Sequence, residues 1–240
     1  MFDKLTFTFA YMKKLLLLHG ALGSKAQMAP LAEALKNDLE VHSLNFSGHG
    51  GAPFAESFGI GQFANEVLHF MDENGIEKAD IFGYSMGGYV ALNLASQQPE
   101  RVGRVVTLAT KFDWTPDGAL RETKMLDPEK IEAKVPVFAA QLHERHAPND
   151  WKELLRKTAD MMLELGQHPL LSSDVLSKIS SPCLICLGDS DQMVGLDETQ
   201  RAAGLLPHGH LQVLEHTPHP FEKVDMTVLA GTLATFLAAV

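Results

Sequence analysis

Gly83-Tyr84-Ser85-Met86-Gly87 directly follows the apolar run Ala79 to Phe82 and directly precedes a helical stretch, Gly88 to Ala95. A G-x-S-x-G pattern between a strand and a helix is typical of a sharp turn that presents a serine hydroxyl above the edge of a sheet. The glycines have a steric purpose, because only hydrogen atoms fit where such a turn crowds the chain. Ser85 is therefore the candidate nucleophile.

Three further signals follow strands of their own. The apolar run Leu15 to Leu18 leads into a glycine-containing loop, His19 to Gly23, which can aim a backbone N–H at a developing oxyanion. An acidic turn, Gly188 to Asp191, follows a second apolar run, and the segment His216 to Pro220 follows a third. The chain order is thus serine, acid, histidine.

With these motifs the chain resembles the α/β-hydrolase superfamily over nearly its whole length. The loop Asn45 to Gly50 is also similar to the one that follows the second parallel strand in many members. The resemblance implies an α/β fold with a mostly parallel sheet, helices on both faces and a small helical cap. It restricts the chemistry less, because the superfamily includes esterases, thioesterases, lyases, C–C bond hydrolases, dehalogenases and members without catalysis.

Alternation of apolar runs with helical stretches also predicts a parallel sheet covered on both faces. The predicted strands are Leu15 to His19, Leu39 to Phe46, Asp80 to Tyr84, Val102 to Ala109, Pro182 to Gly188 and His210 to Glu215. The predicted helices are Ser24 to Lys36, Gly61 to Asn74, Met86 to Gln97, Asp197 to Gly204 and Asp225 to Ala239. Phe2 to Tyr11 is interpreted as an extra edge strand or a start-site extension.

The rhythm changes between Lys111 and Ile179, where no strand-like run occurs. We predict a hydrolase core at 1–111 and 180–240 and a helical cap insertion at 112–179. Its helices are placed at Asp127 to His143 and Asn149 to Leu165, the second capped by Asn149 or Asp150. The cap residues predicted to contact substrate are Trp114, Met161 and Met162, which would line an apolar acyl pocket, and His143 and His146.

The resemblance implies roles for the remaining residues. His219-Pro220-Phe221-Glu222 is similar to the histidine-proline-acid end of related hydrolases, which favours His219 as the general base. His216 stays the alternative, because it fits the commoner pattern of histidine, any residue, proline. Asp191 is the predicted acid that orients the histidine, whereas Asp189 is expected to shape the turn. The predicted oxyanion donors are the backbone N–H groups of Ala21 and Met86. The remaining histidines, His19 and His49 among them, are expected on the surface or in loops.

Composition limits the partners. The chain has 240 residues and a formal net charge of −10, which argues against nucleic acid and anionic membranes as partners. No run approaches the roughly 18 apolar residues of a membrane-spanning helix.

Cys183 and Cys186 lie three apart in one strand and should point to opposite faces, beyond disulfide reach. They predict core thiols and a cytoplasmic location.

These observations predict a serine carboxylesterase for a small or medium apolar acyl ester, working as a monomer or homodimer on a small-molecule substrate. No metal or organic cofactor is expected, since the scattered histidines lack metal-ligand spacing. A C–C bond hydrolase or a lyase of the menaquinone-pathway kind is the alternative among enzymes. A small-molecule receptor or stress regulator on the same fold is the alternative outside catalysis.

Overall fold

The sheet has six parallel strands in the order β2-β1-β3-β4-β5-β6. It is seen in a computed structural model that describes residues 12–238, so the predicted edge strand at Phe2 to Tyr11 lies outside the described residues. The strands are β1 Lys14–Leu18, β2 Glu40–Ser43, β3 Ala79–Tyr84, β4 Val102–Leu108, β5 Cys183–Gly188 and β6 Gly209–Leu214. The predicted fold class, a parallel α/β sheet, is confirmed.

Strand β1 shows why the sheet is covered on both faces. Leu15 and Leu17 are fully buried against one apolar core, while Leu16 and Leu18 are fully buried against the other. Successive side chains of a strand point to opposite faces, so an unbroken apolar run requires cover on both sides. Helices α1 and α10 contribute to the first core, and α2, α3 and α9 contribute to the second.

The helices follow the predicted pattern in the core and depart from it in the cap. They are α1 Ala29–Leu35, α2 Ile60–Glu73, α3 Met86–Gln97, α4 Pro116–Thr123, α5 Pro128–Lys134, α6 Pro136–His146, α7 Trp151–Gln167, α8 Ser173–Leu176, α9 Leu196–Leu205 and α10 Met226–Ala238. The prediction of a single helix at Asp127 to His143 is wrong, because two helices occupy this stretch. It breaks at Val135, because the residue before a proline is disfavoured in the helical conformation.

Helices α4 to α8 lie between β4 and β5 in the chain, and part of this region has an apolar cluster of its own. Leu142, Trp151 and Leu155 are buried in that cluster, and Leu22 of the loop after β1 packs against it. The α7 helix begins where its cap residue Asp150 accepts a hydrogen bond from the Lys152 N–H. The domain boundaries at 112 and 179 stay predictions.

Strand β2 is shorter than the predicted Leu39 to Phe46. It ends at Ser43, and the backbone N–H of Phe46 donates to the ring of His19 rather than to a neighbouring strand.

The two cysteines are free and buried, Cys183 in one core and Cys186 in the other. Burial raises the pKa of each thiol to about 12. Within residues 12–238, no helix has both the length and the apolar character needed to cross a membrane.

Candidate active site

Ser85 stands alone between the end of β3 and the start of α3, in a conformation that side chains rarely adopt. Its φ is 51° and its ψ is −114°. The glycines on either side make the turn possible. A Cβ at Gly83 would overlap the backbone of Gly87, and a Cβ at Gly87 would lie 2.7 Å from the His19 carbonyl oxygen. The sequence therefore stores strain at the serine and removes side chains where the chain is crowded.

The turn is held by the neighbouring strand. The Ser85 N–H donates to the Leu108 carbonyl at 2.8 Å, and the Thr110 hydroxyl donates to the Ser85 carbonyl at 2.9 Å. Since β3 lies between β1 and β4, the serine stands at the carboxyl end of the middle of the sheet. In open α/β sheets this edge is where ligands bind.

His219 and Asp191 form a hydrogen-bonded pair. The His219 Nδ1 and the Asp191 Oδ2 lie 2.8 Å apart, and the Asp191 side chain is only 1% exposed. The other carboxylate oxygen accepts the N–H groups of Met193 and Val194 at 2.7 and 2.9 Å. Burial alone would raise the pKa of Asp191, but these hydrogen bonds together hold it below its ordinary value. The carboxylate is thus ionised and fixed in place, as an acid that orients a histidine must be.

The histidine loop is tied to the residue beside the serine. The Tyr84 hydroxyl donates to the His219 carbonyl at 2.8 Å, and the two rings lie 5.6 Å apart. His216, the alternative base, is exposed with a φ of 52°, and Asp191 pairs with His219. Asp189 accepts the Thr217 N–H at 3.2 Å, which fits its predicted part in shaping the turn.

The predicted oxyanion loop runs beside the serine. A Cβ at Gly20 would lie 3.3 Å from the Cβ of Ser85, so the backbone that leads into Ala21 is close to the nucleophile. Met86 is the first residue of α3, and the first N–H groups of a helix have no partner within it. The N–H groups of Ala21 and Met86 therefore belong to segments that border the serine. Their use as oxyanion donors stays a prediction.

His19 is a residue whose burial the sequence did not indicate. It lies in the loop after β1, as expected, but it is fully buried. Its Nδ1–H donates to the Gly20 carbonyl at 2.8 Å, and its Nε2 accepts the Phe46 N–H at 3.2 Å. Burial lowers the pKa of His19 to about 4. The neutral ring therefore supports the start of the loop from His19 to Gly23.

His146 is also buried, and it does not line the cavity beside Ser85 described below. Its Nδ1 accepts the Gly50 N–H and its Nε2–H donates to the Leu22 carbonyl, each at 3.0 Å. Burial lowers its pKa to about 4. His143 is exposed on the same helix and does not line the cavity either. The structure thus gives His146 a structural position, and neither histidine borders the cavity at Ser85.

A small cavity of about 50 Å³ opens beside Ser85. Three predicted pocket residues, Trp114, Met161 and Met162, line it together with Ala21 and Met86. The sequence reasoning missed four further lining residues, Ile60, Tyr89, Lys111 and Leu165. Lys111 had one available signal, since it follows β4 closely at the edge of the sheet where the serine stands.

A second space adjoins the predicted oxyanion loop. This open groove of about 930 Å³ is lined by residues that include Ala21, Tyr84, Phe138, Arg145 and His219. Ala21 lines both the groove and the cavity. The serine therefore borders a small, mostly apolar space, and the histidine borders a wide, solvent-exposed one.

The family described as "alpha/beta hydrolase fold" matches residues 13–145, more than half of the chain. The chain belongs to the α/β-hydrolase fold family. The resemblance that its motifs indicated is thereby confirmed.

Two curated relatives within this family differ in activity. "Putative carbamate hydrolase RutD" of Caulobacter vibrioides is 26% identical over 251 residues, covering 92% of this chain and 89% of that protein. Pimeloyl-(acyl-carrier protein) methyl ester esterase of Neisseria meningitidis is 37% identical over 100 residues, covering 42% of this chain and 37% of that protein. Both names describe hydrolases, of a carbamate and of an ester.

Solved structures have a fold similar to that of this chain. NosK from Streptomyces actuosus has a TM-score of 0.81 at 19% identity, covering 94% of this chain and 97% of that one. The 2-hydroxy-6-oxo-6-phenylhexa-2,4-dienoate hydrolase from Rhodococcus sp. strain RHA1 has a TM-score of 0.78 at 21% identity, covering 95% and 91%. At these identities the likeness concerns the fold alone.

Proposed function

We propose that this hydrolase-fold protein is a serine hydrolase that cleaves carboxylic esters with small, mostly apolar acyl groups. The observation that carries the proposal is the 2.8 Å pair of His219 and Asp191, in a loop tied through Tyr84 to the strained turn of Ser85. The names of the curated relatives support a hydrolase of ester or similar bonds.

In the proposed mechanism, Ser85 attacks the ester carbonyl while His219 takes its proton. Asp191 holds the imidazole in the orientation that points Nε2 toward the reaction and stabilises its charged form. The N–H groups of Ala21 and Met86 stabilise the oxyanion, and His219 then protonates the departing alcohol. Water resolves the acyl-enzyme in the reverse sequence, with the same histidine as base.

The two spaces around the serine give the proposed substrate its shape. The acyl group occupies the cavity of about 50 Å³, which is the volume of about two water-sized groups. The alcohol part lies in the open groove of about 930 Å³ and tolerates more variation. Short acyl chains should therefore be hydrolysed faster than long ones, whatever the alcohol.

The test is hydrolysis of p-nitrophenyl esters from acetate to octanoate by the wild type and by Ser85→Ala. We expect the highest kcat/KM at an acyl chain of about two to four carbons, by the volume argument above, and no burst or turnover in the variant. Ser177→Ala, which changes an exposed serine, is the matched control and should leave turnover unchanged. An active Ser85→Ala variant would refute the serine mechanism.

The alternatives remain distinct outcomes of the same experiment. Absence of turnover on every ester would favour the C–C bond hydrolase or lyase, or the receptor that binds without catalysis. Cap arginines commonly hold a substrate carboxylate in such enzymes, and this cap offers Arg121, Arg145 and Arg156. None of the three lines the cavity, and Arg145 and Arg156 pair with Glu222 and Glu129. The cytoplasmic location and the monomer or homodimer stay predictions.

A further inference from the structure

The cavity beside Ser85 is mostly apolar, but it has polar groups at one place. Lys111 and Trp114, both in the segment after β4, are among its lining residues. The indole Nε1 of Trp114 is buried and has no hydrogen-bond partner among the described residues. The Lys111 ammonium lies 5.9 Å from the centre of the Trp114 ring and 3.4 Å from a Glu122 carboxylate oxygen.

An unpartnered indole N–H is informative because this group can only donate. Buried donors are nearly always paired, and one that is left without an acceptor destabilises the folded protein. Trp114 is thus a lining residue that keeps a buried, unpartnered donor, and a phenylalanine at this position would not carry that cost. An acceptor atom on a bound ligand would satisfy it.

Lys111 adds a second donor group beside the indole. An ammonium has three N–H donors, and pairing with Glu122 at 3.4 Å occupies at most one of them. The distance is longer than that of a strong charge-assisted hydrogen bond. The ammonium is therefore able to donate to a ligand without giving up its carboxylate.

Resting on the proposed esterase function, we infer that the enzyme prefers acyl groups that carry a second acceptor oxygen, which Trp114 and Lys111 bind. The oxygen belongs to an oxo group or to a carboxylate, and it lies within a few atoms of the scissile carbonyl because the cavity is only about 50 Å³. Trp114 and Lys111 are then specificity residues, whereas Ser85 and His219 perform the chemistry.

The experiment compares methyl esters that differ in the distal oxygen. Methyl 3-oxobutanoate, 4-oxopentanoate and 5-oxohexanoate are each compared with the unsubstituted ester of equal chain length, and kcat/KM is measured by acid release. We expect the wild type to favour at least one oxo ester about tenfold, the effect of one hydrogen bond. Equal kcat/KM within all three pairs would overturn the inference.

The chain supplies a matched control, since it has two tryptophans. Trp114→Phe should reduce the oxo preference to about one, while Trp151→Phe, buried in the cap cluster away from the cavity, should preserve it. Because Trp114→Phe removes an unsatisfied donor, a lower melting temperature is not expected. A preference that survives Trp114→Phe would overturn the assignment to the indole.

A third substrate separates the two sources of the oxygen. Monomethyl succinate carries a carboxylate where methyl 4-oxopentanoate carries a methyl ketone. If the ligand is a carboxylate, Lys111→Met should lower kcat/KM for monomethyl succinate at least tenfold more than it changes kcat/KM for methyl pentanoate. If Lys111→Met affects neither the succinate nor the oxo esters, the lysine has no part in recognition and that half of the inference is wrong.

Failure of the esterase proposal is distinguishable from failure of this inference. In the Trp151→Phe, Ser85→Ala double variant, Trp114 is the remaining tryptophan and its fluorescence reports binding without turnover. If no ester is hydrolysed by the wild type, tighter binding of methyl 4-oxopentanoate than of methyl pentanoate to this variant would still support the inference. Equal binding would refute it independently of catalysis.

Discussion

His19 should make the protein lose stability in mild acid. The ring is fully buried, and desolvation lowers its pKa from the ordinary 6.5 to about 4. In the unfolded chain, histidine binds a proton as the pH falls through 6.5, whereas native His19 stays neutral down to about pH 4. The unfolded state therefore binds more protons in this window, and the free energy of unfolding falls as the pH falls.

The size of the loss follows from the two pKa values. A shift of 2.5 units, the difference between 6.5 and 4, corresponds to about 3.4 kcal/mol when fully developed. At pH 5, where the unfolded histidine is almost fully protonated, the loss is about 2 kcal/mol. His146 and His49 have pKa values shifted in the same direction by burial, so the observed loss should be at least as large.

The assay is urea denaturation at pH 7.5 and pH 5.0 at constant ionic strength, followed by circular dichroism. For an m value of about 3 kcal/mol per molar urea, the midpoint should fall by about 0.7 M on acidification. His19→Gln should be less stable at pH 7.5 but lose less on acidification, since the titrating group is gone. An unchanged wild-type midpoint, or an NMR titration of His19 near pH 6.5, would refute the reasoning.

Three further predictions concern the acid, a packed glycine and the thiols. Asp191→Asn should lower kcat about 10⁴-fold with little change in KM, because the imidazole loses its orienting carboxylate, and steady-state kinetics with the preferred ester measure this. Gly188→Ala should lower the melting temperature by about 4–8 °C, since a Cβ there would lie under 3 Å from the backbone after β6. Gly204→Ala, whose Cβ would meet nothing within 4 Å, is its control, and equal melting temperatures would contradict the packing argument. Neither Cys183 nor Cys186 should react with a thiol reagent at pH 8 until urea unfolds the chain, because both are buried with pKa values raised to about 12; fast labelling of native protein would contradict this.

Local patterns predicted the sheet and the serine turn because both depend on short-range chemistry. The apolar run of β1 requires cover on both faces of the sheet. The glycines that the turn at Ser85 needs lie in the same five-residue motif as the serine. The helix α3 begins and ends where it was predicted, at Met86 and Gln97. Each of these features is determined by residues that are neighbours in the sequence.

The burial of the histidines could not be predicted, because their hydrogen-bond partners are distant in sequence. His19 accepts a bond from a backbone group 27 residues away, and His146 is tied to groups 96 and 124 residues away. A histidine beside a glycine, such as His19, cannot be distinguished from an exposed loop residue until those partners are known. Lys111 was missed for a related reason, since its place at the cavity depends on where the cap helices fold back.

The Leu22 carbonyl has a consequence for attempts to re-engineer this enzyme. Leu22 has a φ of 58°, its side chain packs against the apolar cluster of the cap, and its carbonyl accepts hydrogen bonds from Arg145 and His146 of α6. The residue next to it is Ala21, whose N–H is the proposed oxyanion donor. A chimera that grafts a foreign lid onto this scaffold would therefore inherit an altered catalytic loop as well as a new substrate cover. Transplanting α6 together with the segment from His19 to Gly23 is the smallest exchange that keeps the hydrogen bonds between the helix and the loop.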